Sequence, residues 1–158
     1  MVLDINGIIE DLSKLLTPSV LENAHITLNF EPDPHLPPCS GNKGHLSQVF
    51  INLLKNSVEA MPEGGHIYMT TAYEPDKTGA GGGDIVITIR DDGPGITEEN
   101  LARLFEPGWS SKGPEHSGLG LSISKDIIDS HNGTINGESR KDIGTTFRIT
   151  LPVSGRNP

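Results

Sequence analysis

One segment of this 158-residue chain, residues 91–120, constrains the fold more than any other. It opens with DDGPGI (91–96), directly after the alternating run DIVITIR (84–90). It closes with GLGL (118–121), directly before a helical pattern. Between these ends the sequence shows one short helix and little other apolar periodicity. An aperiodic stretch of that length is uncommon in a compact domain unless it is functional. Glycine ahead of a helix lets a ligand approach backbone N–H groups that lack intrahelical partners, so such a helix start can bind phosphate. An acid at the end of a buried strand offers a fixed acceptor to the amino group of a base. The pattern predicts a nucleotide pocket, with the base at Asp91, phosphates at 118–121 and a lid between them.

Residues 4–16 place Ile5, Ile8, Ile9, Leu12, Leu15 and Leu16 at helical spacing, with Asp4 as N-cap. Thr17-Pro18 should interrupt that helix, with one further turn over 19–23. HITLNF (25–30) predicts a strand with Ile26, Leu28 and Phe30 on one face. Four prolines within 31–40 predict an extended connection. The strongest helix spans 44–61, where Leu46, Val49, Phe50, Leu53, Leu54, Val58 and Met61 form a broad core stripe. Its other face holds Gln48, Asn52, Lys55, Asn56 and Glu59. Two asparagines four apart are weak helix formers on a face usually given to charge pairs. Either this is a plain solvated face, or something other than helix stability selects them.

Further strands are expected at 66–73, 84–90, 134–139 and 145–151. Thr97 should cap a short helix over 98–104. A helix over 119–130 should stop at HNG (131–133), with Gly133 in the left-handed position. The glycine-rich 74–83 reads as a flexible hairpin connection without function. The order α, β, α, β, β, lid, α, β, β predicts an α/β (α+β) two-layer sandwich. Its sheet would be mixed and mostly antiparallel, with helices on one face and the other face more open. No GxxxxGK[ST] loop is present, so a P-loop enzyme is excluded.

Length fits one domain. The expected bounds are 4–152, with 1–3 the residual end of an upstream linker or helical domain and 153–158 a polar tail. A net charge of −9, from 21 acidic and 12 basic residues, argues against a nucleic-acid surface. The lone Cys39 excludes an internal disulfide and fits a reducing compartment. No apolar run approaches the ~18 residues of a membrane helix, and no signal peptide opens the chain. The expectation is a soluble, cytoplasmic piece, which leaves open a membrane anchor in a longer parent.

ATP travels with Mg²⁺, which prefers oxygen ligands and keeps several waters. A neutral amide oxygen can hold the ion between phosphates without adding repulsion, which suits Asn56. Lys55 can offer a positive point charge to a phosphate. Asp91 can accept from the adenine amino group while Gly93 and Gly95 let the base lie close to backbone.

In this order the segments resemble a known family. QVFINLLKNSVEA is similar to the N box of bacterial sensor histidine kinases, and DDGPGI resembles their first glycine box. LFEPGWSSK resembles the F box, SGLGLSISKDIIDSHNGTI the second glycine box, and GTTFRITLP the terminal strand motif. The resemblance runs from about residue 4 to 152 and covers the ATP-binding catalytic domain of the Bergerat-fold superfamily. It implies that Asn56 is the Mg²⁺ ligand supported by Asn52, that Lys55 contacts phosphate and that Asp91 binds adenine. Gly93, Gly95 and Ile96 would shape the base pocket, and Thr145 would help at the adenine end. Gly118, Leu119, Gly120 and Leu121 would lie under the phosphates, with Phe105 and Lys112 in the mobile lid. For Phe105 the plain alternative is packing of the lid; for Lys112 it is a solvated loop lysine. The family's second glycine box usually has a glycine where this chain has His116, which bears on the lid's hinge.

The hydrolytic members of the superfamily carry a water-activating glutamate where this chain has Asn52. An amide cannot act as a general base. The resemblance therefore implies γ-phosphate transfer to a histidine on a separate dimeric helical domain, and from there to a response-regulator receiver domain. The six histidines precede Ile26, Leu36, Leu46, Ile67, Ser117 and Asn132. None has the acidic neighbour of the family's acceptor. The chain is thus expected to be monomeric, within a dimeric parent, and to bind ATP without phosphorylating itself. The alternatives are a regulatory nucleotide-binding module and a serine kinase of the same fold. The MPEGG turn (61–65) resembles that of soluble, nitrogen-regulation-type and PAS-linked kinases.

Overall fold

The alternating runs build one five-stranded sheet. The computed structural model describes residues 1–76, 82–106 and 119–153. The strands are β2 (Ile26–Glu31), β4 (Gly65–Pro75), β5 (Gly83–Asp91), β6 (Thr134–Arg140) and β7 (Gly144–Pro152). Their order is β2-β4-β5-β7-β6. Only β2 and β4 run parallel; the other three pairings are antiparallel. One face takes Ile67, Met69, Ile85, Ile87, Ile89, Ile149 and Leu151, all buried. Against it pack α1 (Ile5–Leu16), α2 (Lys43–Ala60) and α4 (Leu119–Ser130) in one continuous core. The other face carries polar side chains such as Arg90 and Arg148 and stays open. This is the predicted mixed, mostly antiparallel two-layer sandwich.

The α2 stripe is the centre of the core: Leu46, Val49, Phe50 and Leu53 are fully buried. Burying such side chains contributes about 1.5–3 kcal/mol each. The helix starts one residue earlier than its apolar period suggests, because Asn42 is the N-cap and its side chain accepts from His45 N–H at 3.0 Å. Met61 serves as C-cap rather than as a helical residue.

Several local expectations are corrected. The α-helical run does end where expected, with α1 stopping at Leu16 and Thr17 as its C-cap, but the further turn is a π turn and spans Thr17–Leu21. Proline lies in the first positions of that turn. Asp4 sits at the N-cap with extended backbone, but its carboxylate makes no capping bond. Thr97 does cap, accepting from Asn100 N–H at 3.2 Å, and α3 is shorter than expected, Glu98–Ala102. At the end of α4 the left-handed residue is Asn132 (φ 61°), not Gly133. Asn132 N–H bonds Asp129 C=O and Gly133 N–H bonds Ile128 C=O, the paired closure of a Schellman stop.

The connection 31–40 ends in a two-residue strand, β3 (Cys39–Ser40), paired antiparallel with β1 (Val2–Leu3). Val153 bridges to Cys39 as well. Leu3 and Val153 fall outside the bounds 4–152, yet they are 5% and 7% exposed and belong to the core. Burial pushes the Cys39 thiol up to about 11, so it behaves as a small apolar group. A closed ring of bonds ties α1 to the sheet: Thr71 Oγ1 donates to Asn6 Oδ1 (2.7 Å), and Asn6 Nδ2 donates to Asp33 C=O (2.7 Å). Asp33 N–H returns to Thr71 Oγ1 at 2.9 Å.

Candidate functional site

Asp91 is the last residue of β5, and its side chain points to the helical side, 4% exposed. In register it lies beside Ile67 on β4 and Thr145 on β7. A buried carboxylate is costly unless donors surround it. Here Ser57, on α2 and 1% exposed, donates to Oδ2 at 3.1 Å, and Gly93 N–H donates to Oδ1 at 2.9 Å. Burial raises the carboxyl above its ordinary range. The Gly93, Ser57 and Thr145 hydrogen bonds pull it back down, and Asp92 adds a smaller upward push. The carboxylate is thus held rigidly, with acceptor capacity left over for a further donor.

The DDGPGI turn is shaped by contact. A Cβ on Gly93 would lie 2.9 Å from Asp91 Oδ1 and 3.3 Å from the Ala60 methyl. Gly95 has φ +81°, and a Cβ there would collide with Arg140 C=O. Asp142 N–H donates to Pro94 C=O at 2.7 Å, and Ile96 N–H donates to Ser139 Oγ. Ser139 Oγ also lies 3.1 Å from Thr145 Oγ1. The turn therefore leans on the β6–β7 hairpin, and Ile96 is half-buried against the core.

On α2, Asn52 and Asn56 are half-buried while Lys55 between them is exposed. Asn52 Nδ2 reaches Ser124 Oγ on α4 at 3.4 Å, so the two helices meet on the asparagine face. That face is not a plain solvated one. The structure thus brings together Asn52, Asn56, Asp91, Gly93, Gly95, Ile96 and Thr145 around the α2–β5–β7 junction. Leu121 starts the half-buried flank of α4, and Phe105 packs partly against the core. Lys112, His116 and Gly118 lie outside the described residues, as does all of 107–118, which holds most of the lid expected over 105–117; Leu119 and Gly120 open α4. A surface cleft of about 430 Å³ opens at the end of β5, where Asp91 and Ser139 line it together with Arg90, Glu138, Arg140 and Thr146. By strand alternation Arg90, Glu138, Arg140 and Thr146 lie on the open side of the sheet, opposite the Asp91 carboxylate, so the cleft reaches the end of β5 from that side.

Sequence reasoning missed Ser57, Ser124 and Ser139. Ser57 had a readable signal: it stands four residues after Leu53, a polar side chain on the apolar stripe of α2.

The comparisons agree with this geometry. A family model described as "Histidine kinase-, DNA gyrase B-, and HSP90-like ATPase" matches residues 41–155. Sporulation kinase E of Bacillus subtilis (strain 168) is 42% identical over 134 residues, covering 84% of this chain and 17% of that protein. Sensory histidine kinase/phosphatase NtrB of Rhodobacter capsulatus is 40% identical over 141 residues, covering 83% of this chain and 38% of that protein. The chain spans less than half the length of these curated relatives. The catalytic domain of histidine kinase ThkA, solved nucleotide-free, superposes with a TM-score of 0.80 at 30% identity, covering 97% of each chain. ThkA has also been solved in complex with the response regulator protein TrrA; that chain is 28% identical, with a TM-score of 0.77 and 98% and 42% coverage of this chain and of that one. The chain belongs to the histidine kinase-, DNA gyrase B- and HSP90-like ATPase family, as an ATP-binding catalytic domain of the histidine-kinase type.

Proposed function

We propose that this domain, over residues 4–152, positions Mg-ATP for transfer of the γ-phosphate to a histidine on a separate helical domain of a longer, dimeric parent. The observation that carries the proposal is the buried Asp91 carboxylate, fixed by Ser57 and Gly93 beside the asparagine face of α2. In this reading Asp91 accepts from the adenine amino group. Gly93, Gly95, Ile96 and Thr145 shape the base end of the pocket. Lys55 presents a positive charge to phosphate, and residues 118–121 lie under the phosphate chain at the start of α4. Phe105 and Lys112 belong to the lid that closes over it.

Asn56 is the residue proposed to hold Mg²⁺, with Asn52 in support. Among the described residues no cluster of three His, Cys, Asp or Glu side chains could cage a metal. A single amide suits an ion that draws its other ligands from phosphate and water. When bound, Mg²⁺ would neutralise charge on the phosphates. Asn52 stands where a water-activating base would be needed for hydrolysis, and an amide cannot fill that role. Transfer to a delivered acceptor then depends on positioning and charge stabilisation. A response-regulator receiver is the proposed downstream partner, by analogy with the ThkA–TrrA complex. No nucleic-acid partner is proposed, given the acidic charge. A cytoplasmic site is proposed; among the described residues no helix is long and apolar enough to cross a membrane.

The test is twofold. The chain alone, incubated with γ-labelled ATP and Mg²⁺, should bind nucleotide without acquiring label. With the parent's helical domain added, acid-labile phosphohistidine should appear on that domain. Acid-stable phosphoserine instead would favour a serine kinase, and binding without any transfer would favour a regulatory module.

A further inference from the structure

The far end of α4, away from its glycine start, is fastened to the N-cap of α2 by one imidazole. His131 Nδ1 lies 2.8 Å from Ile127 C=O, and its Nε2 lies 3.1 Å from Asn42 N. A carbonyl only accepts, so Nδ1 carries the ring proton. The Asn42 N–H only donates, so Nε2 is the bare acceptor. Both bonds exist together only in that neutral tautomer. Ser130 Oγ, 3.3 Å from Nδ1, donates to the same Ile127 carbonyl at 2.6 Å.

Asn42 caps α2 through its own side chain. In a capping box, Glu or Gln at the third helical position returns an acceptor to the N-cap N–H. Here that position is His45, and the acceptor comes instead from His131, just past the end of another helix. Gly41 makes the room: a Cβ there would fall 2.5 Å from His131 Cδ2 and 2.7 Å from Nε2.

Helices α2 and α4 also meet at Asn52 and Ser124. Two fastenings at different heights fix α4 along and about its axis relative to α2. We infer that His131 is a positioning residue of the nucleotide site, a latch that sets the spacing between the α2 asparagines and the phosphate-binding start of α4. This rests on the reading that both helices grip one triphosphate.

The test uses the whole chain with two variants. His131→Gln places an amide oxygen near the position of Nε2 and keeps the acceptor for Asn42. His131→Asn keeps a donor near the position of Nδ1 but cannot reach Asn42. Calorimetry with Mg-ATP and with adenosine, alongside thermal melting, reads the outcome. His131→Asn should weaken Mg-ATP about fivefold to tenfold, the size of one lost backbone hydrogen bond, and leave adenosine within about twofold. His131→Gln should return Mg-ATP affinity to within about twofold of wild type. In the wild type, ¹⁵N shifts should put the ring proton on Nδ1, and the Asn42 amide should exchange slowly. The latch is overturned if His131→Asn binds Mg-ATP like wild type, if both variants lose affinity only in step with stability, or if the proton sits on Nε2. A wild type that binds no Mg-ATP would instead sink the nucleotide reading; the tautomer and the Asn42 exchange rate would still report on the fastening.

Discussion

Replacing Asp91 by asparagine separates what the carboxylate does for a ligand from what it costs the fold. In Asp91→Asn the new carboxamide can keep its oxygen on Gly93 N–H and turn its nitrogen toward Ser57, whose hydroxyl can accept as well as donate. The fold therefore keeps the Gly93 and Ser57 bonds. An adenine amino group would meet N–H where it met a charged acceptor. A hydrogen bond to a charged group is worth about 1.5–3 kcal/mol, so Mg-ATP affinity should fall roughly tenfold to a hundredfold. Stability should move the other way. Burial raises the Asp91 carboxyl, so the native state holds its proton more readily than the unfolded chain, whose value is about 3.9. The stabilising share of this group is present at acid pH and is lost as pH rises through the raised native value. Asp91→Asn should accordingly be as stable as wild type or more so at pH 7, with the gap closing as pH falls toward the carboxyl range. Calorimetry and urea unfolding at several pH values measure both halves. A dissociation constant within about threefold of wild type would remove the adenine assignment. A variant less stable at pH 7, with no pH trend, would refute the electrostatic argument.

Three further outcomes are expected. Asn56→Ala should bring ATP affinity with Mg²⁺ and with EDTA close together while leaving adenosine binding unchanged; a Mg²⁺ effect equal to wild type would show that the ligand is elsewhere. Ser57→Ala leaves Asp91 Oδ2 one donor short, so unfolding free energy should drop by about 1–3 kcal/mol and ATP affinity should weaken, both readable in a denaturation series and a titration. Gly95→Ala forces a Cβ into the left-handed region and against Arg140 C=O, and should cost at least about 1–2 kcal/mol by urea unfolding; a neutral result would mean that the turn can rebuild.

Where a side chain's role follows from its own helix or strand, the sequence is readable. The α2 stripe, the inward Ile85-Ile87-Ile89 row ending at Asp91, and the out-of-place asparagines all follow from period alone. Ser57 belongs to this class too, as a hydroxyl on an apolar stripe. Where the role depends on what another segment brings, it is not readable. Ser139 matters because the β6–β7 register sets it beside Thr145 and under Ile96 N–H. His131 matters because Gly41, far away in sequence, leaves room for its ring. The β1–β3 ribbon is too short to carry a pattern, so Leu3 gave no sign that it reaches the core. The stop of α1 before Pro18 and the turn after it were readable, but not that this turn would be of the wide π type, Thr17–Leu21. The MPEGG turn pointed to nitrogen-regulation-type kinases, and NtrB proteins are among the relatives found.

Convergence of three separate elements on one ligand is best tested by amide NMR during titration with a non-hydrolysable ATP analogue and Mg²⁺. Resonances of Asn52 and Asn56 on α2, of Asp91 and Gly93 at the end of β5, and of Leu121 on α4 should all shift along curves that fit a single dissociation constant. Shifts confined to one of these elements, or fitted by clearly different constants, would contradict a shared site.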